Sequence, residues 1–454
     1  MKKTIFLLTT VVLLCSCGNK SEGNSKKSDT AFNEKTYSNK LDELFNVLHK
    51  NNKFMGTISL SHEGNVIYSK AMGYNDIDNQ KASTTATKYR VASITKMFTA
   101  TMVFKAVEEN KLGINQTIDK YFPAIENANK ITVGNLLNHR SGIPSFTKDG
   151  TFFDYRTEHK SREEMLKIIT NYKSNFEPDS SNEYSNSNYF LLSQILETIY
   201  NLPYENLLQE KIIKPLGLTN TYSGGKITIS NNESFSYSLA DKWTEFPETN
   251  LSIALGSGSI VSNPSDLNKF IEALFNEKII SKEMLDVMTT IKDNHGMGIM
   301  PFNHKDKKGF GHGGHIDAFH SISIYIPQEK LAIAISSNAI DYNIDNLLTD
   351  TLKCYFNEPF ELPNFERVEI TASELEKYVG VYAAEKGGGK FTISQENNIL
   401  YTQLNELPKE PLVYKGNHKF TNDEIGANFI FNPEKNQLGL EQSGVADIYM
   451  FTKQ

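Results

Sequence analysis

Apolar and polar positions alternate near the start of the folded part of the chain. Thr57-Ile58-Ser59-Leu60-Ser61 and Val66-Ile67-Tyr68-Ser69-Lys70 flank His62-Glu63-Gly64-Asn65. Successive strand side chains point to opposite faces, so a period of two on either side of a Gly-containing turn predicts a β-hairpin. The period then lengthens. Between residues 93 and 110 apolar residues fall at Ile94, Met97, Phe98, Met102, Val103 and Val107, with a stop at Gly113. This spacing predicts a largely buried helix beginning near Ser93. From about residue 115 to 290 helical segments and loops dominate, with little strand signal. Strand patterns return at 320–326 and 331–335, separated by Pro327-Gln328-Glu329-Lys330, and 345–356 reads as a terminal helix with Asp345 as N-cap. Strands at both ends with helices between them imply an α+β domain. Its antiparallel sheet takes strands from both ends and is flanked by helices and a mostly helical subdomain.

A break follows at Asn357-Glu358-Pro359-Phe360-Glu361-Leu362-Pro363. Beyond it, residues 364–454 carry short β-like runs at 390–394, 399–403, 411–414, 429–431, 438–441 and 448–451. Gly, Asn and Asp lie between the runs, which predicts a small all-β domain, a barrel or a sandwich. The other end of the chain reads as an address. Lys2 and Lys3 precede an apolar stretch, 5–14, that is too short to span a bilayer. It ends in Leu14-Cys15-Ser16-Cys17, which resembles a bacterial lipobox. The resemblance implies removal of a signal peptide, 1–16, and a lipid on Cys17 that anchors the chain to a membrane of the bacterial cell envelope, on its periplasmic or cell-surface side. Residues 17–39 are rich in Ser, Asn, Lys and Gly and read as a flexible spacer ahead of a body spanning 40–360.

Composition narrows the function classes. Of 454 residues, 39% are hydrophobic and 22% charged, which supports a full-sized core and excludes a disordered chain. The formal net charge is −7, without the basic excess of a nucleic-acid binder. Three Cys exclude a disulfide scaffold, and of these the body holds Cys354.

Three short patterns carry chemistry. Ser93-Ile94-Thr95-Lys96 puts a hydroxyl and an amine on one helix face. The hydroxyl needs a base, and a Lys can serve once burial or positive neighbours lower its pKa. The helix N-terminus favours negative charge near Ser93. Tyr184-Ser185-Asn186 precedes an apolar helix. A Tyr held beside an ammonium has a depressed pKa and can act as general base, while Asn186 can hydrogen-bond a substrate carbonyl. His312-Gly313-Gly314, followed by His315, reads as a Gly-rich approach to a strand that lets substrate come close to the backbone. Each spacing recurs elsewhere, at Ser145–Lys148, Ser223–Lys226, Tyr355–Asn357 and His62–Gly64, so none is specific alone. His139, His315 and His320 share no metal-ligand spacing, and neither a metal nor a cofactor is expected. Trp243 and the aromatics of 232–246 line the cleft, belong to the core or form a surface loop.

Ser-x-x-Lys, Tyr-x-Asn and His-x-Gly in this order resemble the serine β-lactamase and penicillin-binding-protein-like family. The resemblance is nearest to its class C β-lactamase, D-alanyl-D-alanine carboxypeptidase and esterase branch. Leu136-Leu137-Asn138-His139-Arg140-Ser141-Gly142, Lys214-Pro215-Leu216-Gly217-Leu218 and Gly256-Ser257-Gly258-Ser259 also sit where that family has similar segments, and 364–454 resembles its appended lipocalin-like β-domain. The resemblance implies an acyl-enzyme on Ser93, with Lys96 and Tyr184 sharing the proton work. It implies that Asn186, His312, Gly313, Gly314 and His315 bind substrate, with the Ser93 and His315 N–H groups as oxyanion hole. His312 stands where the family usually has Lys, so the permanent cation is replaced by a ring that is mostly neutral above about pH 6.5. The implied substrate is a small molecule or a peptide, amide or ester, cell-wall peptides included. A true β-lactamase and a catalytically silent binding or regulatory protein are the alternatives.

Overall fold

The computed structural model describes residues 34–454 apart from 240–241, 367, 385–388, 406, 424 and 443–447. The leader, Cys17 and the beginning of the spacer lie outside the described residues.

Helix Glu34–Lys50 opens the described chain. The expected spacer therefore ends earlier than residue 39. Tyr37, Leu41, Leu44, Phe45 and Leu48 repeat at helical spacing and are all buried. Burying each such side chain contributes about 1.5–3 kcal/mol, enough to hold an otherwise polar segment on the body.

The central sheet has six antiparallel strands in the order Met300–His304, Lys307–Ile316, Phe319–Ile326, Leu331–Ile340, Phe54–His62 and Asn65–Met72. The N-terminal hairpin thus joins the C-terminal strands, with Ile58 opposite Ile335 and Leu60 opposite Ile333. The sheet is covered on both faces. Leu331, Ile333 and Ile335 pack against the first helix and helix Ile344–Tyr355, in one core that also holds Cys354. Ala332 and Ala334 belong to the core on the other face, which the mostly helical subdomain supplies. There helix Thr95–Glu108 meets helix Pro264–Phe275 through stacked Phe98 and Phe270 rings, centroids 3.7 Å apart. Among the described residues no helix is long and apolar enough to cross a membrane.

Several local expectations are corrected. The helix after Ser93 begins as a tight turn, Ala92–Ile94, before regular helix starts at Thr95. The terminal helix is capped by Asn343, whose Oδ1 accepts from the backbone N–H groups of Asp345 (3.1 Å) and Asn346 (3.0 Å); Asp345 lies inside the first turn. Small sheets join Tyr89–Arg90, Ile260–Ser262 and Tyr222–Ser223, and Tyr237–Leu239 with Trp243–Glu245, in a region that read as helix and loop. The Gly-rich His312 segment lies inside a strand rather than before one.

The C-terminal domain is a closed eight-stranded barrel, which settles barrel against sandwich. Gly380–Ala384 and Lys419–Asn422 join the six strands read from the sequence. Its interior is filled by side chains that include Tyr378, Tyr382, Phe391, Phe420, Phe429 and Phe431.

Candidate active site

Ser93 sits on a turn held from both sides. The Val91 N–H donates to the Ile260 carbonyl at 3.0 Å, and the Ile260 N–H donates to Thr95 Oγ1 at 3.0 Å. Between these anchors Ala92 is forced to φ +49°, a left-handed conformation that costs a non-Gly residue on the order of 1–3 kcal/mol. The Ser93 hydroxyl emerges at the start of the helix, and one turn later Lys96 comes back beneath it.

The Lys96 amine is fully buried. Its Nζ lies 3.0 Å from Ser93 Oγ, 2.7 Å from Asn186 Oδ1 and 2.7 Å from the Ser257 carbonyl oxygen. No carboxylate pairs with it among the described residues. Taking an ammonium out of water without a counter-charge disfavours the charged form, so burial holds the Lys96 pKa well below its ordinary value. With three acceptors around it, a neutral amine there can donate two hydrogen bonds and take the Ser93 proton on its lone pair.

Tyr184 lies on the loop before helix Asn186–Tyr200, whose first residue is Asn186. That loop is sewn to residues 138–147. The Ser185 N–H donates to His139 Nδ1 (3.1 Å), the Asn186 N–H to Ser145 Oγ (3.0 Å), Asn186 Nδ2 to Thr147 Oγ1 (3.0 Å) and the Phe146 N–H to Ser187 Oγ (3.0 Å). The Tyr184 ring lies 4.9 Å from Lys96 Nζ. It is surrounded by three imidazoles, His139, His295 and His312, with centroids 4.4, 6.3 and 6.2 Å away. Tyr184 is not the depressed phenol expected from the sequence. Burial pushes its pKa well up, and its hydrogen bond with Ser93 offsets this only in part. The reason is that Lys96, the supposed cation beside it, is itself driven towards the neutral form.

The third segment arrives on strand Lys307–Ile316. Gly314 pairs with Ser321 and lies flat against the nucleophile turn: a Cβ at Gly314 would sit 2.1 Å from the Val91 carbonyl oxygen and 3.1 Å from the Ser93 nitrogen. Gly313 has room, its nearest neighbour being the Ser321 carbonyl oxygen at 3.8 Å. His312 is buried, and its Nδ1–H donates to the Gly313 carbonyl at 2.5 Å. Burial foremost brings its pKa down to about 3 against the opposing pull of that carbonyl, so the ring is neutral at physiological pH. The His315 side chain is exposed and stacked on His320 at 4.1 Å.

Residues 43–347, more than half of the chain, match the family model described as Beta-lactamase. The chain belongs to the Beta-lactamase family. It is 26% identical over 400 residues to a penicillin-binding protein of Bacillus subtilis (strain 168), covering 80% of this chain and 87% of that one. It is similar to the octameric penicillin-binding protein homologue from Pyrococcus abyssi, with 25% identity, TM-score 0.66 and coverage of 91% of this chain and 99% of that chain. It is also similar to D-amino acid amidase from Ochrobactrum anthropi SV3, solved with D-phenylalanine, with 25% identity, TM-score 0.64, and 71% and 99% covered. The two solved structures share the fold of this chain.

For this member of the family, Ser93 opens onto a cleft of about 350 Å³. Asn186, Thr147, Ser257 and His315 line it beside Ser93, and Phe146, Phe152, Phe153 and Phe246 wall it. Trp243 does not reach the cleft and packs against a small core of Met55, Tyr237 and Ala339. Sequence reasoning missed His295. It lies on a hairpin whose Asp293 and Asn294 are left-handed (φ +51° and +62°), and the Asp-Asn pair was the available turn signal. Arg140 ties that hairpin down: its guanidinium bonds both the Asp293 carboxylate and Asp179, the latter at 2.5 Å. The Ser257 carbonyl leaves no trace in side-chain patterns. Among the described residues no three of His, Cys, Asp and Glu converge to hold a metal ion.

Proposed function

We propose that the chain hydrolyses a peptide, amide or ester through an acyl-enzyme on Ser93. The observation that carries this reading is the buried Lys96 amine, 3.0 Å from Ser93 Oγ and without a carboxylate partner among the described residues. Its lowered pKa makes Lys96 the base, taking the Ser93 proton as Oγ attacks the scissile carbonyl. Tyr184, protonated and hydrogen-bonded to Ser93, acts as the acid that returns a proton to the leaving group. Asn186 orients the acyl carbonyl side, and the Ser93 and His315 N–H groups receive the oxyanion, consistent with Gly314 resting against the Ser93 backbone. The Lys96 ammonium then gives its proton to the Tyr184 phenolate, which resets both groups; water attacks the ester with neutral Lys96 again as base, and the proton it takes passes to Ser93 Oγ as the acid product leaves. Neutral His312 offers no cation to a substrate carboxylate, which favours the peptidase, amidase and esterase side of the family over the β-lactamases. The D-amino acid amidase and penicillin-binding-protein relatives support D-amino-acid peptides or amides, cell-wall peptides included, as substrates. The lipobox-like Cys17 supports lipid anchoring at the cell envelope.

A fluorophosphonate probe tests the nucleophile. Labelling of the wild type and its loss in Ser93→Ala are expected. No adduct on either protein favours a silent binding role, and equal labelling of both places the nucleophile elsewhere.

A further inference from the structure

The cleft beside Ser93 carries a charge that the catalytic groups do not use. Arg156 lines it, and the rings of Phe153 and Phe246 flank the guanidinium, with centroids 5.8 and 5.2 Å from Cζ. Phe153 is 73% exposed, an aromatic lip left in water at the mouth of the cleft. One amino nitrogen of Arg156, Nη1, donates to Thr249 Oγ1 (2.9 Å) and Asp317 Oδ1 (3.0 Å). Its Nε and Nη2 have no hydrogen-bond partner among the described residues. Planar N–H groups of this kind match a carboxylate in two parallel, charge-assisted bonds.

The negative charge nearby is not available to a ligand. Asp317 is the carboxylate among the lining residues, and its side chain has no exposed surface. Its oxygens are taken by Arg90 (3.1 Å), Arg156 and the Thr249 N–H and hydroxyl. Glu248, the other carboxylate of the cluster, pairs with Arg90 at 2.5 Å and does not line the cleft. The cluster is neutral in sum: both carboxylates are engaged by Arg90 and Arg156, and one edge of the Arg156 guanidinium is left without a hydrogen-bond partner among the described residues, between Phe153 and Phe246. A ligand ammonium there meets a like charge without an accessible counter-charge, whereas a carboxylate meets two free donors.

We propose that this pocket selects an acyl group with an apolar or aromatic body that ends in a carboxylate, and discriminates against one that carries a free ammonium. Arg156 is the specificity-determining residue. The assignment rests on acyl transfer at Ser93.

Three p-nitrophenyl esters of 3-phenylpropanoic acid test it, bearing hydrogen, a carboxylate or an aminomethyl group at the para position of the ring. The leaving group and scissile bond are the same in all three. For the wild type, kcat/KM for the carboxylate ester is expected to exceed that for the aminomethyl ester at least tenfold. In Arg156→Met this ratio falls at least tenfold, and Arg156→Lys retains part of it. A ratio of two substrates on one preparation is independent of the fraction of folded enzyme. An aminomethyl ester turned over as well as the carboxylate ester overturns the assignment, as does a ratio unmoved in Arg156→Met. Turnover that needs Ser93 but shows no charge preference overturns the pocket assignment alone. Turnover unaffected by Ser93→Ala, or absent with all three esters, overturns the acyl-transfer reading beneath it.

Discussion

The two glycines of His312-Gly313-Gly314 are adjacent, identical in chemistry and opposite in tolerance. In Gly314→Ala the new methyl would start 2.1 Å from the Val91 carbonyl oxygen. Carbon–oxygen contacts settle at about 3.3 Å, so the strand and the nucleophile turn must separate by about 1.2 Å. Neither side yields easily. At Gly314 the strand is paired with Phe319–Ile326, its pairing with Met300–His304 ending at Gly311, and the turn is fixed by the Val91–Ile260 and Thr95–Ile260 bonds. Overpacking of this kind costs about 1–3 kcal/mol of stability. A misplacement of about 1 Å between an attacking group and its oxyanion donors costs roughly a hundredfold in rate. Gly313→Ala places its methyl 3.8 Å from the nearest atom, an ordinary contact, so stability should hold to within about 0.5 kcal/mol. The measurements are the second-order rate of fluorophosphonate labelling and thermal melting of both variants beside the wild type. Gly314→Ala is expected to label about a hundredfold more slowly and melt earlier, while Gly313→Ala loses less than tenfold. Equal behaviour of the two variants, or a wild-type Gly314→Ala, refutes the close-approach argument.

Acid stability reports on His312. Its pKa of about 3 in the fold lies below that of an unfolded imidazole, about 6.5, so protons bind the unfolded chain first. The neutral ring therefore favours the fold fully above about pH 6.5, and that contribution is lost as the pH falls towards 3. The expected slope is up to about 1.4 kcal/mol per pH unit, or about 1.4 kcal/mol by pH 5.5. Denaturant midpoints between pH 7.5 and 5 should fall less steeply in His312→Gln than in the wild type, and parallel curves would show that the ring titrates in the fold as it does in the unfolded chain. At the terminal helix, Asn343→Ala should cost about 1 kcal/mol and Asp345→Ala only a few tenths, as read by urea unfolding; the reverse order would return the cap to Asp345.

Local patterning along the chain was sufficient for the elements whose partners are near in sequence. The 57–70 hairpin, the helix after Ser93 and six barrel strands follow from period and turn chemistry, because each satisfies most of its backbone bonds and apolar faces with neighbours close by. Ser93, Lys96, Tyr184 and Asn186 were legible as an ordered set of motifs, and the fold brings Lys96 into contact with both Ser93 and Asn186. Strand Lys307–Ile316 was not legible. Its four glycines carry no strand preference, and its pairing is imposed by Phe319–Ile326 and by the need to lie against Ser93. The protonation states were not legible either. Whether Lys96 is a base, Tyr184 an acid and His312 neutral depends on how much water each group loses, and that is set by residues from every part of the body closing around them. The pairing of Arg156 with Asp317, 161 positions apart, belongs to the same class: sequence supplies the charges, and only packing decides which of them stays open to a ligand.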